Sequence, residues 1–240
     1  MLQGIQTSAS GMLPRVTKQE ILANNLANLE TPGYKRDRVA FRRELDAQIS
    51  AAASEGQDVA GEQVLVDFSQ GSLEKTGRPL DFALEGKGFF AVETANGIRY
   101  TRAGNFSIDA DGYLVTPLGD RVLGEGGPIQ LGNEEVRVAK DGEIWQGDVA
   151  VDRLRLVEFN DLTKLAKEGH NLFRLTDPSE RELPAENTRV LQGYLEGSNV
   201  NPIEEMVEMM LVYRNFEAEQ KSVQVQDETL GKAINDLPKF

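Results

Sequence analysis

Two aspartates, Asp109 and Asp111 in the segment DADG at 109–112, have the type and spacing best suited to binding an ion. Carboxylates at alternate positions before a glycine begin the calcium-binding loop of an EF-hand. That loop also needs a later glutamate at a fixed position, which Leu118 occupies in this sequence. The pattern therefore favours a tight turn over a calcium site.

Thiolate chemistry and metal sites built from cysteines or from two histidines lack the residues that they need. The chain has no cysteine and one histidine, His170, so neither a thiolate nor a site with two histidine ligands can form. The glycines of EGKGFF at 85–90 lack the third glycine of a phosphate-binding loop. We predict no catalytic, cofactor-binding or metal-binding residues, and we interpret His170 as a turn or surface residue.

Acidic residues leave one route to catalysis open. The 39 aspartates and glutamates could supply a general acid and a general base, but nothing in the sequence singles out a pair. An enzyme such as a carbohydrate hydrolase, and a free-standing binding module with a helical stalk, therefore remain as alternatives to a structural protein.

The overall charge excludes two classes of partner. The 240 residues carry a formal net charge of -13, and such a chain would repel a phosphate backbone or an anionic membrane surface. No stretch approaches the ~18 apolar residues that span a bilayer, and no basic start with an apolar block marks a cleaved signal peptide. We expect neither nucleic-acid binding nor membrane insertion.

Both ends of the chain have the spacing of coiled-coil helices, with steps of three and four between seam positions. Gly4, Gly11 and Pro14 weaken the first helix, and Pro14 is expected to kink it. The N-terminal seam is Leu2, Ile5, Ala9, Met12, Val16, Gln19, Ala23 and Leu26. The C-terminal seam is Met206, Met209, Tyr213, Phe216, Gln220, Val223, Asp227, Leu230 and Ile234.

Residues off these seams indicate a second contact surface. Asn24, Asn25 and Asn28 fall on the outer face of the first helix, where small amides fit a contact with another chain. Met210 and Leu211 make the start of the second helix apolar nearly all round, which is typical of a helix that is buried on all sides. Packing of this segment against the chain's own β domain is the alternative.

The middle of the chain has the turn spacing of an antiparallel β domain. Short apolar runs alternate with turn signals, and Asn96–Gly97 is typical of a hairpin turn. The stretch at 34–63, between the first helix and the β domain, is polar and rich in small residues, which indicates an extended linker. The predicted fold class is α+β, with the terminal helices paired as a coiled coil around a central, mostly antiparallel β domain. The predicted segments are an N-terminal helix at 1–32, a linker at 33–75, the β domain at 76–195 and a C-terminal helix at 196–240.

Three blocks of the sequence resemble those of bacterial flagellar rod and hook proteins. The first is ILANNLANLETPGYKR at 21–36, in which an ANNLAN run precedes a TPGYK turn. The second is PLDFALEGKGFFAVETANGIRYTRAGNFSIDADGYLVTPLGDRVLG at 79–124. The third is GYLEGSNVNPIEEMVEMMLVYRNFEAEQKSVQVQDETLGKAI at 193–234. Their order and spacing along the chain are those of the family.

The resemblance implies a structural subunit of the flagellar basal-body rod and not an enzyme. Such a subunit is expected to assemble through its terminal helices with copies of itself and with other flagellar rod proteins, and to need no cofactor. It is expected in the periplasmic rod, which it reaches through the flagellar type III export apparatus without a cleaved signal. The sequence LEGSNVNPIEEM favours a proximal rod protein, whereas GKGFFAV is typical of a distal rod protein. We favour the proximal one.

The same resemblance implies a subunit interface at both ends of the chain. In the TPGYK turn, Pro32 fixes φ and Gly33 permits a positive φ, so that the chain leaves the helix in one direction. The predicted interface residues are Asn24, Asn25, Leu26, Asn28, Thr31, Pro32, Gly33, Tyr34, Met206, Met209, Met210, Tyr213 and Phe216.

Overall fold

A computed structural model describes residues 16–40, 63–132, 134–177 and 179–235. The expectations for Gly4, Gly11 and Pro14, and for linker positions 41–62, fall outside these residues. The described chain forms helix α1 at 16–27 and helix α2 at Pro202–Asn235. The strands are β1 (Asp37–Ala40), β2 (Gln63–Val66), β3 (Leu73–Lys75), β4 (Phe82–Glu85), β5 (Phe89–Thr94), β6 (Gly97–Thr101), β7 (Ser107–Ile108), β8 (Leu114–Val115), β9 (Arg121–Gly124), β10 (Gly127–Pro128), β11 (Val136–Val138), β12 (Glu143–Gln146), β13 (Val149–Arg153), β14 (Leu156–Glu158), β15 (Leu165–Gly169), β16 (Leu172–Leu175), β17 (Leu183–Pro184), β18 (Arg189–Gln192) and β19 (Tyr194–Glu196).

The chain divides into two compact units. The helical unit contains the described parts of Met1–Ala27, Asp37–Leu65 and Asn201–Phe240. The β unit contains Asn28–Arg36 and Val66–Val200. The stretch expected to be a linker, 33–75, therefore carries strands β1–β3 and supplies residues to both units.

The β unit is built from antiparallel pairs, as the turn spacing predicts. Its main sheet runs in the order β15-β16-β6-β5-β9-β8-β7, and β14 also pairs with β5. A three-stranded sheet has the order β11-β12-β13, and two-stranded sheets join β18 to β4 and β19 to β3. In the helical unit, β1 pairs with β2.

The turn signals form the turns that they predict. Strands β5 and β6 make a hairpin in which Thr94 is opposite Gly97, and Gly97 has a φ of +98°. At DADG, the Asp109 carboxylate accepts hydrogen bonds from the backbone N–H groups of Asp111 and Tyr113 at 2.9 and 2.7 Å. Asp109 thus closes its own turn, and the turn interpretation is confirmed.

Strand β5 lies at the centre of the β unit because it is buried on both faces. Successive strand residues point to opposite faces: Phe90 belongs to one apolar cluster, with Phe82 and Phe106. Phe89 belongs to a second cluster, with Phe173. The four residues Phe89, Phe90, Ala91 and Val92 are all 0% exposed.

The prediction that the terminal helices pair as a coiled coil is wrong. A coiled coil buries an apolar seam, but the seam residues Val16, Met206 and Tyr213 are 41%, 46% and 54% exposed. Between α1 and α2, the described residues instead make polar contacts. The Asn25 amide donates to Glu205 Oε2 at 3.3 Å, and an ion pair joins Lys18 to Glu208 at 2.6 Å. The fold is two helices with a mostly antiparallel β domain.

Candidate functional site

The TPGYK motif folds into a turn directly after α1, and local hydrogen bonds form it. The Thr31 N–H and hydroxyl donate to the carbonyl and side-chain oxygens of Asn28 at 3.3 and 3.1 Å. The Tyr34 N–H then donates to the Thr31 carbonyl at 3.2 Å. Gly33 has a φ of +68°, a conformation that favours glycine.

Gly33 is also required because two parts of the backbone meet there. A Cβ at this position would lie 2.3 Å from the backbone nitrogen of Ala103. On the other side, the Gly33 N–H donates to the backbone carbonyl of Glu196 at 2.7 Å. The turn is thus packed between the chain after β6 and the end of β19.

Glu196 is the centre of a buried network of charges. Its Oε1 accepts from the Lys35 ammonium at 2.6 Å and from the Gly71 N–H at 3.0 Å. Its Oε2 accepts from Arg102 Nη1 at 3.3 Å. The Lys35 and Glu196 side chains are 0% exposed and that of Arg102 is 3% exposed. We call Lys35, Arg102 and Glu196 the buried triad.

Both cations of the triad have further partners. Lys35 donates to the Ser69 carbonyl at 2.7 Å, and Arg102 donates to the Gly86 carbonyl at 2.7 Å. The guanidinium of Arg102 also lies 5.0 Å from the centroid of the Phe89 ring, as a cation–π contact. Burial lowers the pKa values of Lys35 and Arg102, because removal from water disfavours their charged forms. The nearby Glu196 carboxylate opposes that effect for both.

Asn199, three residues after Glu196, fastens the end of the turn to the β unit. Its Oδ1 accepts from the Arg36 N–H at 2.7 Å. Its Nδ2 donates to the carbonyls of Asp67 and Ser69 at 2.8 and 3.1 Å. One amide can do this because it both accepts and donates.

In the helical unit, the side-chain amide of Asn25 holds the backbone of Asp37 in the same way. Its Nδ2 donates to the Asp37 carbonyl and its Oδ1 accepts from the Asp37 N–H, both at 2.9 Å. The residue is 0% exposed. The expectation that Asn25 lies on the outer face of the first helix is therefore wrong: the face that is buried within the chain contains Leu22 and Asn25, one position away from the predicted seam.

The other predicted interface residues fall into three groups by exposure. Gly33 and Tyr34 are buried within the β unit, where the Lys167 ammonium lies 4.2 Å from the Tyr34 ring centroid. Those that are half-buried are Leu26, Asn28, Thr31, Pro32, Met209 and Phe216. Those that are exposed are Asn24, Met206, Met210 and Tyr213.

The buried triad was not singled out from the sequence, although each member lies in a different one of the three blocks described above. Lys35 is the lysine of TPGYK, Arg102 lies in YTRAGN, and Glu196 lies in GYLEGSNV. No local signal marks these charges: Lys35 begins the charged run KRDR, and Arg102 lies between Thr101 and Ala103. The structure brings these charges together.

Replacement of Gly33 by alanine tests the close approach at the turn. We expect Gly33→Ala to lose more unfolding free energy than the roughly 1–2 kcal/mol of a left-handed backbone alone, because its Cβ would collide with backbone atoms. Gly119→Ala is the matched control, since Gly119 has a φ of +88° and nothing within 4 Å of its Cβ position. Urea unfolding of both variants measures the difference. Equal losses would contradict the close approach.

A second substitution tests the role of the Asn25 amide. Asn25→Asp has nearly the same shape but cannot donate to the Asp37 carbonyl, and it buries a carboxylate beside Glu205. An unsatisfied buried group costs about 1–3 kcal/mol, and a charged one more. We therefore expect faster hydrogen exchange of the α1 amides at 22–27. Asn24→Asp, at the exposed neighbour, should leave that exchange nearly unchanged; the same rate in both variants would refute the assigned role.

Three family models match the chain, and each overlaps one of the three blocks. The model described as flagella basal body rod protein matches residues 5–35. The flagellar hook protein FlgE/F/G D1 domain matches residues 83–146. The flagellar basal body rod FlgEFG protein C-terminal matches residues 191–237.

Curated relatives match along almost the whole chain. The flagellar basal-body rod protein FlgF of Caulobacter vibrioides is 36% identical over 92% of each chain. FlgF of Salmonella typhimurium is 35% identical over 97% of each chain. FlgG of Bacillus subtilis is 32% identical over 98% of this chain and 99% of its own. Relatives of both kinds have similar identities, so the comparisons do not separate FlgF from FlgG, but together they place the chain in the flagellar basal-body rod protein family, as a structural subunit.

Proposed function

We propose that this rod subunit joins neighbouring subunits through an apolar strip at the start of α2. The observation that carries the proposal is the exposure of large apolar side chains there, from 46% at Met206 to 73% at Ile203. We define the α2 strip as Ile203, Met206, Val207, Met210, Leu211 and Tyr213.

The spacing of the strip supports a contact surface. Residues three or four positions apart are neighbours on a helix, so Met206, Met210 and Tyr213 form one continuous row, and Ile203 joins through Val207. Contiguous apolar surface of this kind marks interaction sites in soluble proteins. Burial of each large apolar side chain stabilises a contact by about 1.5–3 kcal/mol, and a rod would repeat that gain at every subunit.

The N-terminal residues take a second part in the proposed interface. In the helical unit Asn24 is exposed and Leu26 is half-buried, and in the β unit Asn28 and Pro32 are half-buried, so all four side chains reach the surface of their own unit. Asn25, Gly33 and Tyr34 contribute to the interface only by holding the backbone in position, because their own atoms are packed inside the subunit. Within the helical unit, the proposed contact surface therefore has an apolar part on α2 and a more polar part on α1.

The partners that fit this surface are copies of the same chain and other flagellar rod proteins. The family match and the exposed strip support this, and they favour a structural role over an enzyme. Among the described residues, no helix is both long and apolar enough to cross a membrane. We further propose that the chain passes through the flagellar type III export apparatus and resides in the periplasmic rod.

The decisive substitution lies in the middle of the strip. Met210→Lys places a charge on a side chain that is 60% exposed, so the isolated subunit should fold with an unfolding free energy within about ±0.5 kcal/mol of the original. A packed contact would instead bury that charge, and incorporation into rods should fail. Met210→Leu keeps an apolar side chain and is the matched control. Counting subunits in isolated basal bodies measures the outcome, and normal incorporation of Met210→Lys would refute the proposed surface.

The position of this subunit along the rod is a separate proposal, supported by the sequence LEGSNVNPIEEM. We propose the proximal position. The chain should restore rod assembly and swimming to cells that lack their proximal rod protein, and it should not do so in cells that lack the distal one. The opposite pattern would assign the distal position.

A further inference from the structure

Residues 31–36, which we call the docked segment, are held by polar contacts and by the buried Tyr34 ring, outside the two apolar clusters. Neither apolar cluster of the β unit contains one of these residues. No described strand includes them, so none of the described sheets depends on them for pairing. The cores can therefore stay intact when the docked segment is released.

Three of the contacts that hold the docked segment come from one later stretch, residues 194–199, while Asn171 and Lys167 donate to the Pro32 and Lys35 carbonyls at 2.9 and 2.5 Å. The backbone carbonyl of Glu196 binds the Gly33 N–H and its carboxylate binds Lys35. Asn199 binds the Arg36 N–H. Strand β19, which carries Glu196, is itself fixed by pairing with β3, where Glu196 is opposite Leu73.

The docked state depends on the charge of Glu196. Without that carboxylate, Lys35 and Arg102 would be two buried cations in one place, each with only a neutral carbonyl as a hydrogen-bond acceptor. Burial of cations without a partner is strongly unfavourable. Lys35 avoids this cost either by losing its proton in place or by moving into water, and only the second requires the turn to leave its position.

We propose that residues 194–199 are a latch, which holds the N-terminal TPGYK motif in its docked position only when the C-terminal block is in place. The segment has two states: docked, with Lys35 buried against Glu196, and released, with Lys35 in solvent. The consequence for assembly rests on the proposed function: only a subunit that is complete through the latch presents an ordered N-terminal motif to the rod.

The state of the latch is measurable as the reactivity of the Lys35 amine in the full-length free subunit. In the original chain an acylating reagent should label the exposed Lys87 while Lys35, which is 0% exposed, stays unlabelled. In Glu196→Gln, Lys35 should be labelled at a rate close to that of Lys87, with the backbone amides of β5 and β6 still protected from hydrogen exchange. Asp141→Asn, at an exposed ion pair with Arg153, is the control and should leave Lys35 unlabelled.

Two results would overturn the latch. One is continued protection of Lys35 in Glu196→Gln. The other is loss of exchange protection in β5 and β6 together with Lys35 labelling, which would make the segment part of one cooperative core. Asn199→Ala removes only neutral hydrogen bonds and should give intermediate labelling with an intact core; no labelling there would also count against the latch. Every measurement of the latch uses the free subunit. Its result therefore does not depend on whether Met210→Lys subunits join the rod.

Discussion

The carboxylate of Glu196 is the constraint on which the docked position of the TPGYK turn depends. It pairs with two buried cations, Lys35 at 2.6 Å and Arg102 at 3.3 Å, and it accepts from a backbone N–H as well. Buried ion pairs add little net stability compared with apolar packing, but removal of one partner is costly. Their value here is that the carboxylate reaches both cations only where three distant chain segments meet.

The subunit uses polar and apolar groups for opposite tasks. Inside the chain, Asn25, Asn199 and the buried triad fix the backbone at single positions, because amides and charges require defined partners. On the surface, the α2 strip exposes apolar side chains, which gain free energy from any well-fitting neighbour. A rod subunit needs both properties: a unique shape while it is isolated, and a favourable contact when it joins other subunits.

Local features of this fold could be predicted from the sequence, whereas contacts between distant segments could not. The hairpin at Asn96–Gly97 and the turn at Asp109 depend on residues within a few positions, and they form as expected. The helix pattern gave the correct periodicity but the wrong face, because the face is decided by the partner of Asn25, which is Asp37 outside the helix. Lys35, Arg102 and Glu196 look like ordinary surface charges until the fold joins them.

A double-mutant cycle on the pair Lys35 and Glu196 tests this account most directly. Unfolding free energies of Lys35→Met, Glu196→Gln and the double variant give the coupling energy between the two side chains. The account predicts a coupling of about 1–3 kcal/mol, as for residues in one network, and clearly more than the coupling between the exposed Arg153 and Asp141 measured in the same way. A coupling no larger than that of the exposed pair would contradict the central role of Glu196.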